Sequence, residues 1–298
     1  MLRRQQAAPG AATCFKIMAR IPELPGMSSI SFPHAPAPFF STLDSLSALT
    51  ATLQAWPTQQ DYDQLLASAR HSGITLPPTL RFACDLEPEA YYEMHIGSTG
   101  EVPTRSENWH DWFNALCWLI WPQSKTALNA RHVRAIERGE VKRGPLRDAA
   151  TLLDECGVIV ASCRPDLLAA LDDMDWQTLF VENRAAWGRE IVPLVLGHAV
   201  FEQALAPHPG WCAKALLVEV DADFFGLPQS AQLAALDARL AAALDKDDWL
   251  HSPRQMPPLP LLGIPNWWEA NRDPVFYQDA AYFRATRRAK SASVVLSS

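Results

Sequence analysis

The chain has 298 residues, 48% apolar and 20% charged, the balance of a folded protein with a sizeable core. Its 26 basic and 33 acidic residues give a formal charge of −7, and eight of the bases lie outside the first and last acids, Glu23 and Asp279. Phosphate backbones are gripped by clustered Lys and Arg, so a body this acidic argues against a nucleic-acid partner. The longest apolar run, Trp112 to Trp121, is interrupted by Asn114 and stopped by Pro122. It falls short of the roughly 20 residues that span a bilayer, which argues against a membrane role. Six cysteines with no Cys-x-x-Cys pair read as reduced thiols, and the expected compartment is cytoplasmic.

Residues 1–26 carry basic charge without the apolar segment of a secretory signal, and are expected to be a disordered or misannotated extension, with Met18 and Met27 as alternative starts. Residues 30–288 read as one domain and 289–298 as a disordered tail. In chain order, Ser41 to Gln54 and Asp61 to His71 read as helices, the first with Leu43, Leu46, Leu49 and Leu53 on one stripe, the second closed by Gly73. Tyr91 to Ile96 is β-rich, and Gly97 to Gly100 is a turn leading into Val102-Pro103-Thr104-Arg105. Glu107 to Trp121 is apolar nearly all round, which predicts a helix crossing the core. Pro122 suits the first turn of a further helix, Gln123 to Arg138.

Beyond it, Arg147 to Glu155 reads as helix or turn, Gly157 to Ser162 as a short buried strand and Leu167 to Glu182 as a helix. Ile191 to Leu196 fits either a strand or the entry to the helix Gly197 to Leu205. Ala215 to Val220 reads as a strand and Ser230 to Leu244 as a helix. The Pro-rich run Pro257 to Trp268 excludes regular helix and central strand. The expected fold is α+β, a predominantly helical single domain around a small β-sheet.

Walker A, Gly-x-Gly-x-x-Gly, Gly-x-Ser-x-Gly and His-Glu-x-x-His signatures are all absent. Candidate chemistry is concentrated in four polar islands instead. The first, Arg105, Glu107, Asn108, His110, Asp111 and Asn114, sits at the start of the apolar helix, where polar groups facing a core must find partners or a ligand. The second is Arg147, Asp148, Thr151, Asp154 and Glu155, in which Asp148, Thr151 and Glu155 share a helical face that could bind a hard cation or supply acid and base; a solvated acidic face is the other outcome. The third pairs His198 with Glu202 one turn apart, a spacing that suits one ion or a plain hydrogen bond. The fourth, Lys125, Asn129 and His132, could hold an anionic group or be an exposed helix face.

These islands carry a resemblance. Tyr92-Glu93, Val102-Pro103-Thr104-Arg105, Asn108-Trp109-His110-Asp111, Phe113-Asn114-Ala115-Leu116, Lys125, Leu128-Asn129 and His132 resemble the pattern of a bacterial family of unknown function, DUF3025. Arg147-Asp148, Thr151-Leu152, Asp154-Glu155, Gly157, Gly197-His198-Ala199, Glu202 and Gly263-Ile264-Pro265 extend the similarity over about residues 40–288. The resemblance implies that the islands belong to one domain type, and it implies no activity.

The leading expectation is a metal-dependent, hydrolase-like enzyme acting on an anionic small molecule. His110, His198 and Glu202 would ligate one divalent ion (Zn, Fe or Mn), and Asp154 or Glu155 would act as base, with Asp111 as a further catalytic candidate. Arg105, Asn114, Lys125, Asn129 and Arg147 would hold the substrate. The alternative is a non-catalytic small-molecule or protein-binding module in which these residues form a buried network and Trp267, Trp268 and Tyr277 line an interface or lid. Neither reading specifies an oligomeric state.

Overall fold

The computed structural model describes residues 38–86, 92–140, 143–285 and 293–296; the extension expected at 1–26 lies outside them. The sheet forms where β-branched residues bury on both faces. Strand β3, Gly157–Ser162, is buried at every position, and the order is β4 (Ile191–Val195), β3, β5 (Cys212–Glu219), β6 (Pro258–Pro260). β3 runs parallel to β5, with Ile159 opposite Leu216, and antiparallel to β4, with Ile159 opposite Leu194. Pro193 is tolerated because β4 is an edge strand. The Pro-rich run contributes only the short edge strand β6, in keeping with its exclusion from helix and central strand. A second, two-stranded parallel sheet joins β1, Arg81–Ala83, to β2, Glu101–Pro103.

Helices surround this sheet. A 3₁₀ segment, Pro38–Leu46, leads into the single turn α1, Ser47–Thr50, and is followed by α2, Gln59–His71. Then come α3 (Tyr92–Thr99), α4 (Trp109–Ile120) and α5 (Pro122–Glu137). After them α6 (Pro145–Cys156), α7 (Pro165–Asp172), α8 (His198–Ala204) and α9 (Gln229–Leu244) complete the order. α4 crosses the core, with ten of its residues buried. Trp121, between α4 and α5, is fully buried and donates from its indole to the Val195 carbonyl at 2.9 Å, tying the helix pair to β4. The class is α+β, predominantly helical, as the sequence predicts.

Four local expectations change. The β-rich stretch before Gly97 is the helix α3, because it packs on α5: a Cβ on Gly97 would stand 2.9 Å from Val133 Cγ2. Ser41 to Gln54 is not one helix: it is 3₁₀ as far as Leu46, one α-turn over Ser47–Thr50 and non-helical beyond, with the Thr42 hydroxyl drawn inward to accept from Val195 N–H at 3.0 Å. The single helix expected over Leu167 to Glu182 breaks at Met174, where φ is +56°, and resumes as a π-turn, Gln177–Glu182. The tail expected to be disordered includes Val295–Leu296, which form strand β7 beside β5.

The junction that positions the site is glycine-dependent. α6 passes into β3 without a loop, and a Cβ on Gly157 would lie 2.2 Å from the Leu153 carbonyl oxygen. Gly197, just before α8, is pressed onto the same point: its Cβ would meet the Glu155 carbonyl oxygen and the Gly157 nitrogen, each at 2.4 Å. The N–H groups of Leu196 and Gly197 both donate to the Gly157 carbonyl, at 3.0 and 2.8 Å. Gly197→Ala should therefore lower stability by about 1–3 kcal/mol through overpacking alone, read as a reduced urea midpoint with an unchanged slope.

Candidate active site

Asn108 caps α4 by accepting from Asp111 N–H at 3.0 Å, which places a carboxylate in the first turn, where the helix dipole favours it. The Asp111 carboxylate then accepts from the Arg105 backbone N–H at 2.7 Å and from its guanidinium at 2.8 and 2.9 Å. This fork fastens the chain leaving β2 onto α4. Asp111, expected as a catalytic candidate, and Arg105, expected as a substrate group, are thus committed to each other, although both line the cavity.

His110 heads a different chain. Its Nδ1 lies 2.8 Å from Glu202 Oε2, and its Nε2 lies 3.0 Å from Nε2 of His198. The His198 Nδ1 is buried without a hydrogen bond, 3.8 Å from Asp154 Oδ2. Asp154 Oδ1 takes the Lys125 ammonium at 2.5 Å, and the same ammonium donates to Asn114 Oδ1 at 2.8 Å. Asn114 Nδ2 in turn donates to the Tyr92 hydroxyl at 3.2 Å. Six side chains from α4, α5, α6 and α8 thereby line up as one path ending at α3, hydrogen-bonded except at the 3.8 Å step between His198 and Asp154.

The protons on this path can be placed. Where two imidazole nitrogens meet, one must donate. If His110 were neutral with its proton toward Glu202, His198 would have to donate from Nε2 and turn a bare Nδ1 lone pair toward the Asp154 carboxylate. With His110 as imidazolium, it donates to both Glu202 and His198, and the single His198 proton sits on Nδ1 facing Asp154. The titration directions agree with the second arrangement. Burial pulls His110 down, but the Glu202 hydrogen bond and charge outweigh it and its pKa is raised. Burial and the Lys125 ammonium hold His198 well below the ordinary imidazole value. Burial pushes Asp154 up, but Lys125 and His198 outweigh it and the carboxyl stays below its usual range.

The cavity has a volume of about 420 Å³, within the range of small-molecule sites. His110, His198, Asp154, Glu155, Lys125, Asn114 and Asn129, drawn from all four islands, face it. Lys125 and His132 are buried, so their face of α5 is not an exposed one. Glu155 differs from the other carboxylates: among the described residues it has no hydrogen bond or ion pair, and burial, reinforced by Asp154, raises its pKa.

Other expectations are redistributed. The proposed ligand set His110, His198 and Glu202 comes together, but as a hydrogen-bonded chain: both nitrogens of His110 are engaged, with Glu202 on the nitrogen away from His198. Among the described residues no group of three or more His, Cys, Asp or Glu is placed to hold a metal ion. Thr151 and Glu155 line the cavity, whereas Asp148 does not. Arg147 stands just behind the wall, its Nε 3.4 Å from His132 Nδ1. Trp267 packs edge-on against Phe39 in the core, and the Tyr277 hydroxyl donates to the Gly263 carbonyl, so neither forms a lid.

Arg143, Tyr92 and Glu93 complete the cavity without having been singled out as site residues. Tyr92 and Glu93 were obscured by the strand-like reading of α3. Arg143 carried one usable signal, its place just before Gly144-Pro145, where Gly caps and Pro opens α6.

The molecule is therefore an α+β protein with a polar cavity built beside a buried imidazole–carboxylate–ammonium path. The family model described as a protein of unknown function (DUF3025) matches residues 80–287, more than half of the chain, and the chain belongs to that family. No curated protein and no solved structure matches it. Among the described residues no helix is long and apolar enough to cross a membrane.

Two measurements check the path. Lys125→Met strips the partner from Asp154 and should cost about 3 kcal/mol in urea unfolding, while Lys125→Met combined with Asp154→Leu should recover most of that loss. The raised His110 pKa sets the sign of a pH effect. Its pairing with Glu202 contributes fully below the unfolded imidazole value of about 6.5 and is lost as pH rises through the elevated folded value. The stability difference between wild type and Glu202→Gln should thus be larger at pH 5.5 than at pH 9, by about 1 kcal/mol.

Proposed function

We propose that the protein is a hydrolase-like enzyme acting on an anionic small molecule, with Glu155 as general base and His110 as general acid. The observation that carries this reading is Glu155, a cavity carboxylate with neither hydrogen bond nor ion pair among the described residues, facing the same cavity as an imidazole whose orientation is fixed by Glu202. Burial, reinforced by Asp154, raises the Glu155 pKa, which makes its carboxylate a stronger base than an ordinary one. An imidazolium held by a carboxylate can release the proton on its other nitrogen.

In this scheme Glu155 removes a proton from water as the water oxygen bonds to the electrophilic centre. The bond to the leaving group breaks, and His110 gives that group its Nε2 proton. His198, which accepts from the same nitrogen, holds the imidazolium in register, and Asp154 with Lys125 keeps the His198 proton on Nδ1. Water activation is assigned to Glu155 because, among the described residues, its carboxylate is engaged by neither a hydrogen bond nor an ion pair.

The test uses p-nitrophenyl acetate, p-nitrophenyl phosphate and mono-p-nitrophenyl glutarate. Saturable turnover of an anionic ester is expected, with kcat lowered about 10²–10³-fold by Glu155→Gln while the thermal midpoint holds, and by a similar factor by His110→Asn in protein that circular dichroism shows to be folded. Turnover of none of the three, or turnover indifferent to Glu155→Gln, overturns the hydrolytic reading and favours a binding module with a buried polar network.

A further inference from the structure

We infer that the cavity contains a dedicated subsite for a terminal oxyanion, formed by Arg143, Arg147 and His132, and that Glu93 is its internal occupant, displaced when the substrate binds. The inference deepens the proposed function and rests on the reading of this cavity as a substrate site.

Three basic side chains converge on one oxygen. Glu93 Oε1 lies 3.7 Å from Arg147 Nη2, 3.9 Å from Arg143 Nη2 and 3.9 Å from His132 Nδ1. None of these is a hydrogen-bond distance; charge-assisted N–H···O bonds are about 2.7–2.9 Å long. The same molecule shows what a committed pair looks like, since Arg105 grips Asp111 at 2.8 and 2.9 Å. Arg143 and His132 line this end of the cavity with Arg147 just behind them, and the two guanidiniums carry ten N–H donors. Among the described residues their one hydrogen bond is the long contact from Arg147 Nε to His132.

Charge and burial point the same way. Two guanidiniums face one carboxylate at long range; Arg143 is partly exposed and also feels the Glu155 charge, whereas Arg147 has no other carboxylate paired with it among the described residues. Arg147 is largely enclosed, with 11% of its side chain exposed, and His132 is buried. Burial outweighs the pull of Glu93 and Asp154 and lowers the His132 pKa, so the imidazole can accept or donate as an incoming group requires. A carboxylate or phosphate oxygen cluster would give these donors the short bonds that Glu93 does not. Lys125 and Arg105, the other cations expected to hold substrate, are already taken by Asp154 and Asp111.

The fold also sets the length of the ligand. Arg147 and Glu155 lie on one α-helix, α6, with Thr151 between them facing the cavity. Their separation along the axis is about 12 Å. The substrate class is therefore a small molecule whose oxyanion sits several bonds from the bond that is broken, not one cleaved at the charged group itself.

Acetate and inorganic phosphate, titrated calorimetrically into the intact chain at constant ionic strength, test the subsite. Glu93→Gln removes the competing carboxylate and should tighten at least one probe about 10-fold; the probe that gains more identifies the oxyanion as carboxylate or phosphate. Arg147→Gln should weaken that probe about 10-fold. Unchanged or weaker binding in Glu93→Gln overturns the proposal, as does wild-type binding in Arg147→Gln; if Arg147→Gln does not fold, Glu93→Gln alone decides. Probe binding needs no bond cleavage. Binding as stated without turnover of any ester keeps the subsite and removes the hydrolytic reading, whereas turnover with unaltered Glu93→Gln binding does the reverse.

Discussion

The contact between Gly157 and Gly197 is the constraint from which the site follows. Two backbones approach there closer than any side chain permits: a Cβ on Gly197 would fall 2.4 Å from the Gly157 nitrogen and the Glu155 carbonyl oxygen, while one on Gly157 would strike the Leu153 carbonyl oxygen of its own helix at 2.2 Å. The Gly157 carbonyl takes two N–H groups from the segment entering α8. The last turn of α6 and the first turn of α8 are thereby pinned to one point by main-chain atoms. Asp154 and Glu155 precede that point, and His198 follows it by a single residue. Their proximity does not depend on any attraction between the side chains. This matters because a buried imidazole and a buried carboxylate cannot assemble such a site by themselves: desolvation works against both until the backbone has already been placed.

Around that pin the polar path alternates in charge: Glu202, His110 as imidazolium, neutral His198, Asp154 and Lys125. Each member has its preferred state set by its neighbours, which is why burial dominates for His198 and loses for His110 and Asp154. A buried ion pair such as Lys125–Asp154 is poor evidence of stabilisation, since apolar residues of similar volume commonly do as well. Its presence is better explained by what it fixes. The ammonium holds Asp154, Asp154 faces the His198 proton, and His198 leaves the second nitrogen of His110 a defined partner.

The sequence patterns that persist through packing were legible, and those that tertiary contact overrides were not. The apolar helix around Trp112, the strand Gly157–Ser162 and the helix ending at Leu244 read correctly because their periodicity is also their burial. α3 did not, because only Ile96 of its residues is buried and its short aromatic sequence carries no helical stripe. That misreading hid Tyr92 and Glu93. The polar islands were visible as residues that an apolar context could not leave unpaired, and the structure gathers His110, Asp154, Glu155 and His198 at one cavity. Who pairs with whom was not visible. His198 and Glu202 stand at i and i+4, yet Glu202 bonds His110 from 92 positions away. Sequence spacing suggests a local partner, and the Gly197 junction supplies a distant one.

Pairing divides the cavity's charges into two sets, and the division bears on where a ligand acts. Asp111, Asp154 and Glu202 each accept a short bond, and the groups that donate to them are spoken for. Glu155 has no such bond among the described residues, and Glu93, Arg143 and Arg147 meet only at long range. Poorly paired charge in an enclosed site is a standing electrostatic deficit, larger there than in water. The deficit is concentrated near the two ends of α6, about two turns apart. A molecule carrying an oxyanion at one end and a protonatable reacting group at the other relieves both together. A rigid polar path beside two unsatisfied ends is the arrangement of a preorganised site, in which the fold bears the cost of placing charges before the ligand arrives.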